Sequence, residues 1–333
     1  SDYGHAGGIT AENYGTLRDC KVEGSGTKNT TIRSRGTDEI GAVCAVNDAG
    51  ASIEGCESGK GVILSGESSV IGGIAGRNLG IITRSSKTEN VGVMPQVDIS
   101  AGRLTVGGVA GRNEKGTGQI THLQVSGLVF DEFSNYQYLG GISGENQSGS
   151  IIEACTFLKG KIRESGSAAG NCYGGIAGKN SGRLSDCEVQ EITCEVQGIY
   201  TATSTSTAKE KEELASHIGG IAGKNEETGS IIECRLAGSS NTISAGSGMA
   251  GGIAGYNNGC IELSGDSIVE QIMQEAQSAG GSPQKVENVQ RLIELASSMK
   301  LKADSQYVEW NNNNPHLENL NYANRGSGIS KNR

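Results

Sequence analysis

Ile218-Gly219-Gly220-Ile221-Ala222-Gly223-Lys224-Asn225, followed by Gly229 and Ile231, decides the fold, because it is one of eight copies of a single pattern. The others begin at Gly7-Gly8-Ile9, Gly41-Ala42-Val43, Gly72-Gly73-Ile74, Gly107-Gly108-Val109, Gly140-Gly141-Ile142, Gly174-Gly175-Ile176 and Gly251-Gly252-Ile253. Each ends on an Asn at the same offset: Asn13, Asn47, Asn78, Asn113, Asn146, Asn180 and Asn257. The motif returns about every 35 residues, and the one long interval, Gly174 to Gly219, holds an insertion around Ile199 to His217. A fixed period of this length is the signature of a repeat architecture.

Downstream of each Asn comes an aliphatic residue, and three positions on a small or apolar one, as in Leu17/Cys20, Ile53/Cys56, Ile152/Cys155, Leu184/Cys187 and Ile231/Cys234. Two positions further, Val22, Val125, Phe157, Val189 and Leu236 alternate with polar or small neighbours, which is the pattern of a half-buried strand. One unit buries about five apolar side chains at roughly 1.5–3 kcal/mol each, against about 1–2 kcal/mol of backbone ordering for every residue. It cannot fold alone. Stacked units pair every strand with its counterpart one turn on, so the sequence predicts an all-β, right-handed parallel β-solenoid of about eight coils.

Equivalent residues then form columns. The Gly-Gly pair marks a corner with restricted room or positive φ. Asn13 to Asn257 read as an amide ladder, and Cys20, Cys56, Cys155, Cys187 and Cys234 as an inward column of free thiols. In-register Cβ atoms about 4.8 Å apart stand wider than the roughly 3.8 Å of a disulfide.

Composition narrows the function. The chain has 333 residues, 53 of them Gly and 3 Pro, which with no three-residue Gly period excludes collagen. A net charge of −9 without a Lys/Arg-rich block argues against nucleic acid, and the absence of a long apolar run argues against membrane insertion. Nine Cys lack zinc-ligand spacing, so no metal or cofactor is expected.

The string at 218–231, repeated in register over about 260 residues, resembles the GLUG repeat of bacterial surface proteins. Such repeats accompany large adhesin-like proteins and the non-catalytic regions of bacterial immunoglobulin A peptidases. The resemblance implies an extracellular or cell-surface setting and a non-enzymatic scaffold or binding role, with a glycan or host surface protein as partner.

Residues 1–265 are assigned to the solenoid, 266–302 to a C-terminal α-helical cap and 303–333 to an irregular segment or linker. The cap begins with a capping box, Ser267 to Glu270, and continues after Ser282-Pro283 with apolar residues at helical spacing. Because almost nothing precedes the first copy, the chain reads as part of a longer protein.

Candidate chemistry is sparse. His316-Leu317-Glu318 lacks the second His of a zinc-peptidase motif, no GxSxG elbow occurs, and Gly55 to Gly61 misses the phosphate-loop spacing. Asp19, Glu54, Glu153, Asp186, Glu233 and Glu262 read as an acidic ladder before the Cys column, either solvated, a weak Ca²⁺ site or a glycosidase pair. Arg77, Arg112, Lys179 and Lys224, interrupted by Glu145, read as an outward basic strip, either solvated or suited to sulfated or sialylated glycans. The ligand-binding candidates are Phe130, Phe133, Tyr136 and Tyr138, an aromatic cluster beside Asp131, Glu132 and Asn135 in an otherwise aromatic-poor chain. A spacer or adhesin is the expected role; the alternatives are a carbohydrate-active β-helix enzyme and the substrate-docking region of a secreted peptidase.

Overall fold

The computed structural model describes residues 4–262, apart from 26, 35–38, 67–69, 84–86, 90–91, 94–103, 131–135, 165–169, 197–214, 239 and 246–248. The helical cap expected at 266–302, the segment 303–333 and most of the insertion therefore lie outside the described residues. His217, placed in the insertion by the sequence, instead opens a strand.

The chain is a parallel β-solenoid. Every pairing between named strands is parallel and joins a segment to its equivalent one coil on, as the repeat requires. The first sheet is built from the segments that end on the first Gly of each motif, such as Glu39–Gly41, Tyr136–Gly140 and His217–Gly219. The second holds the segments that end on the Asn, such as Ala75–Asn78 and Ala222–Asn225. A third follows the turn after the Asn, with Ser52–Glu54 and Ser230–Ile232 among its members. Each of these three sheets has eight strands. A seven-stranded sheet follows the Cys column, and the circuit closes through a three-stranded and a four-stranded sheet. Among the described residues there is no helix, and so none long and apolar enough to cross a membrane.

The core is a set of thin columns inside this circuit. Ile40, Ile71, Val106, Leu139, Tyr173 and Ile218 succeed one another on the first sheet, each 0–1 % exposed. Ile53, Ile82, Ile120, Ile152, Leu184 and Ile231 do the same on the third. Each such side chain removed from water contributes about 1.5–3 kcal/mol. The gain is realised only because the coil above and the coil below supply the walls.

The first Gly of the motif answers to space rather than to φ. A Cβ on Gly41 would lie 1.8 Å from the Cys44 carbonyl oxygen, and one on Gly72 or Gly107 would meet the equivalent oxygen of Ala75 or Ala110 at 1.8 or 1.9 Å. The chain folds back on itself there so closely that no other residue fits. Left-handed backbone occurs elsewhere, at the position just before the Cys column: Asp19, Gly55, His122, Ala154, Asp186 and Glu233 have φ between 51° and 63°.

Candidate functional site

The asparagine column is continuous. Asn13 Nδ2 donates to Asn47 Oδ1 at 2.8 Å, and the step repeats through Asn78, Asn113, Asn146, Asn180 and Asn225 to Asn257 at 2.7–2.9 Å. The second amide hydrogen of each donor reaches a third-sheet carbonyl, for example Asn113 to Ile151 O at 3.1 Å and Asn78 to Gln119 O at 3.2 Å. Asn47, Asn78, Asn113, Asn146, Asn180 and Asn225 are fully buried, so their polar groups are satisfied by one another and by the backbone instead of by water.

On the outward side of the second sheet, the column runs Glu12, Val46, Arg77, Arg112, Glu145, Lys179, Lys224, Tyr256. The expected basic strip is electrically balanced. Arg77 lies 3.6 Å from Glu39 and 3.8 Å from Glu114; Arg112 is 3.8 Å from Glu114 and 3.0 Å from Glu145. Lys179 lies 3.4 Å from Glu145 and 4.0 Å from Glu226, which also holds Lys224 at 3.1 Å. Glu39, Glu114 and Glu226 come from positions flanking the second-sheet strands, so a reading of one column alone counted the cations without their partners. Burial raises the Glu114 carboxyl against the opposing pull of Arg112 and Arg77. The Lys179 ammonium is held above its ordinary value, because Tyr138, Glu145 and Glu226 together outweigh burial.

The four aromatic candidates do not share one environment. Phe130 is 1 % exposed and stands in the core column continued by Ile162, Cys194 and Ile243. Its strand neighbour Val129, at 50 %, is the one that faces out. The alternation of a strand sends a large apolar residue inward there, so Phe130 packs the solenoid and presents no face to a sugar. Phe133 lies outside the described residues; Tyr136 opens the strand Tyr136–Gly140, where it pairs with Leu104. Tyr138 is half-buried under Lys179, whose Nζ stands 5.2 Å from the ring centroid, and burial raises its phenol. Tyr256 makes the same arrangement with Lys224 at 5.4 Å, and its ring lies 5.3 Å from that of His217. Sequence reasoning missed Tyr256, although it occupies the motif position of Lys224 in the last copy.

The six acids divide between two registers. Glu54, Glu153 and Glu262 lie on third-sheet strands, where Ser185 and Ile232 separate Glu153 from Glu262. Asp19, Asp186 and Glu233 occupy the next, left-handed position. Glu54 is held by Arg18, Nη2 to Oε2 at 3.1 Å. Among the described residues no three His, Cys, Asp or Glu side chains converge as a cation site.

None of the nine cysteines is disulfide-bonded: Cys260 is exposed, Cys20 intermediate and the rest buried. Cys56, Cys155, Cys187 and Cys234 belong to the hydrophobic core. Burial pushes the Cys44 thiol up to about 12 and Cys56 up to about 11, and it also raises Cys155 and Cys234. At these four positions the neutral thiols fill the interior as small apolar groups.

Comparison with known protein families, with curated proteins and with solved structures gives no match to this chain.

Proposed function

We propose that this chain is a non-enzymatic repeat domain of a bacterial cell-surface or secreted protein, related to the GLUG-repeat proteins, and that it serves as a stiff spacer. The reading is carried by the asparagine ladder, whose seven consecutive hydrogen bonds tie every coil to the next along the stacking direction. A column of buried, mutually satisfied amides beside in-register parallel sheets resists bending and shear between coils. The paired charges on the outer face suit a rod whose sides stay hydrated without attracting polyanions. The finer architecture belongs to the same proposal: about eight coils, for which the eight strands in each of three sheets speak, right-handed winding, and a helical cap at 266–302.

Pulling single molecules of the full chain by their termini tests the spacer reading. A rod holds its length until a high, repeatable force at which coils yield together, and Asn113→Ala lowers that force. Gradual extension at low force in the wild type, with no dependence on Asn113, defeats the reading. Binding to a glycan array or to immobilised mucin, saturable and abolished by Tyr138→Ala in a folded protein, would instead make the domain an adhesin.

A further inference from the structure

The first sheet brings three soft-metal ligands into one column outside the hydrophobic core. Cys172 pairs in register with His217, and His217 with Met249, so thiol, imidazole and thioether stand in consecutive coils. The strand neighbours Tyr173 and Ile218 point into the core, and alternation puts Cys172 and His217 on the opposite face. Cys172 Sγ lies 3.9 Å from His217 Nδ1. Backbone hydrogen bonds fix the three strands side by side here: His217 N donates to Asn171 O at 2.7 Å and Met249 N to Ser216 O at 2.8 Å. Cys172 is 2 % and His217 3 % exposed, while Met249 is half-buried.

We propose that Cys172, His217 and Met249 form a three-coordinate site for a soft monovalent metal ion, copper(I) being the natural candidate. Bonds of about 2.3 Å to sulfur and about 2.0 Å to nitrogen, spanning the observed 3.9 Å, give a sulfur–metal–nitrogen angle of about 130°. That angle is wider than tetrahedral and leaves a third position for the thioether of the next coil. Thiolate and thioether select copper(I), and imidazole suits it. Charge makes the same choice. Binding releases the thiol proton to solvent, so one thiolate and one monovalent ion leave a neutral unit, which a buried site accepts; a divalent ion would leave a net positive charge there. The ammonium groups of Lys179 and Lys224, in the facing column, are already matched by Glu145 and Glu226.

The test uses the full chain carrying Cys20→Ser and Cys260→Ser, which removes the two cysteines that are not buried. Under anaerobic conditions it is titrated with copper(I) against a chromophoric bicinchoninate competitor. Silver(I) is added in parallel while imidazole nitrogen resonances are followed. The expected result is one retained equivalent of copper(I), lost in Cys172→Ser and in His217→Gln and more weakly held in Met249→Leu. Silver(I) should move the imidazole signals that disappear in His217→Gln. If Cys172→Ser does not fold, His217→Gln and Met249→Leu carry the comparison. Failure to retain copper(I) overturns the site, as does retention undiminished by His217→Gln, which would place the metal among the interior thiols.

Discussion

Asn78 Nδ2 donates to Asn113 Oδ1 at 2.8 Å, across a step of 35 residues in the chain and one coil in space. Asn113 in turn donates to Asn146 and to the carbonyls of Gly118 and Ile151. Asn113→Ala therefore strands a buried donor on Asn78 and removes three bonds made by Asn113 itself. A loss of about 2–4 kcal/mol in unfolding free energy is expected. Asn113→Asp should be worse at neutral pH, since it sets a buried carboxylate against the Asn146 oxygen. Its folded carboxyl would titrate above the unfolded one, so the destabilisation should relax as pH falls toward 4 and grow as pH rises. Chemical denaturation at several pH values measures both, and a pH-independent Asn113→Asp would refute the ladder's role.

Two kinds of glycine should respond differently to alanine. At Gly107 the added methyl meets the Ala110 carbonyl oxygen at 1.9 Å, backbone that cannot move aside, so Gly107→Ala should cost more than about 4 kcal/mol or abolish folding. At Gly116, with φ +81° and open space around it, the cost should be about 1 kcal/mol. The converse change, Ala154→Gly at φ 51°, relieves left-handed strain and should stabilise by about 0.5–1 kcal/mol. Thermal melts of the three variants give the order directly. Equal effects at Gly107 and Gly116 would contradict the account.

Glu114 is raised by burial despite sitting between Arg77 and Arg112. A carboxyl whose folded value exceeds its unfolded one favours the fold while protonated, and that contribution fades as pH rises through the folded value. At pH 7 Glu114→Gln should thus be as stable as the wild type or more so. It should also flatten the stability profile just above the ordinary carboxyl value of 4.5. Denaturation midpoints between pH 4 and 8 test this, and a clear loss of stability at pH 7 would show that the arginine pairing outweighs desolvation.

Thiol accessibility should follow burial. In the folded protein a small maleimide should label Cys260 quickly and Cys20 more slowly, while Cys44, Cys56 and Cys194 stay unmodified. All nine should react once the chain is unfolded in denaturant without reductant. Mass spectrometry counts the adducts, and fewer than nine in the unfolded chain would mean that some are disulfide-bonded.

The solenoid and its ladder were legible because every copy keeps the Gly-to-Asn offset, which becomes lateral register once coils stack. The candidate site was less legible. The acids looked like one file because Ala154 and Glu233 occupy the same left-handed position as Gly55, and no residue type marks that turn. Phe130 looked exposed because Asp131 and Glu132 follow it in the sequence, while its partners in register, such as Ile162, are apolar. Cys172, His217 and Met249 each stand two residues before the first Gly of a copy. That signal was available, but the long interval from Gly174 to Gly219 disguised it as loop.

The asparagine file has a sense of direction. Each side chain gives its hydrogen to the later coil and takes one from the earlier, so the amide dipoles add along the stack instead of cancelling. Cleaving the stack between any two coils would bare donors on one surface and acceptors on the other. Two such pieces can rejoin only nose to tail, and a mirror pairing would set like groups against each other. The fold thus encodes polarity at every interface, a property that no single coil possesses.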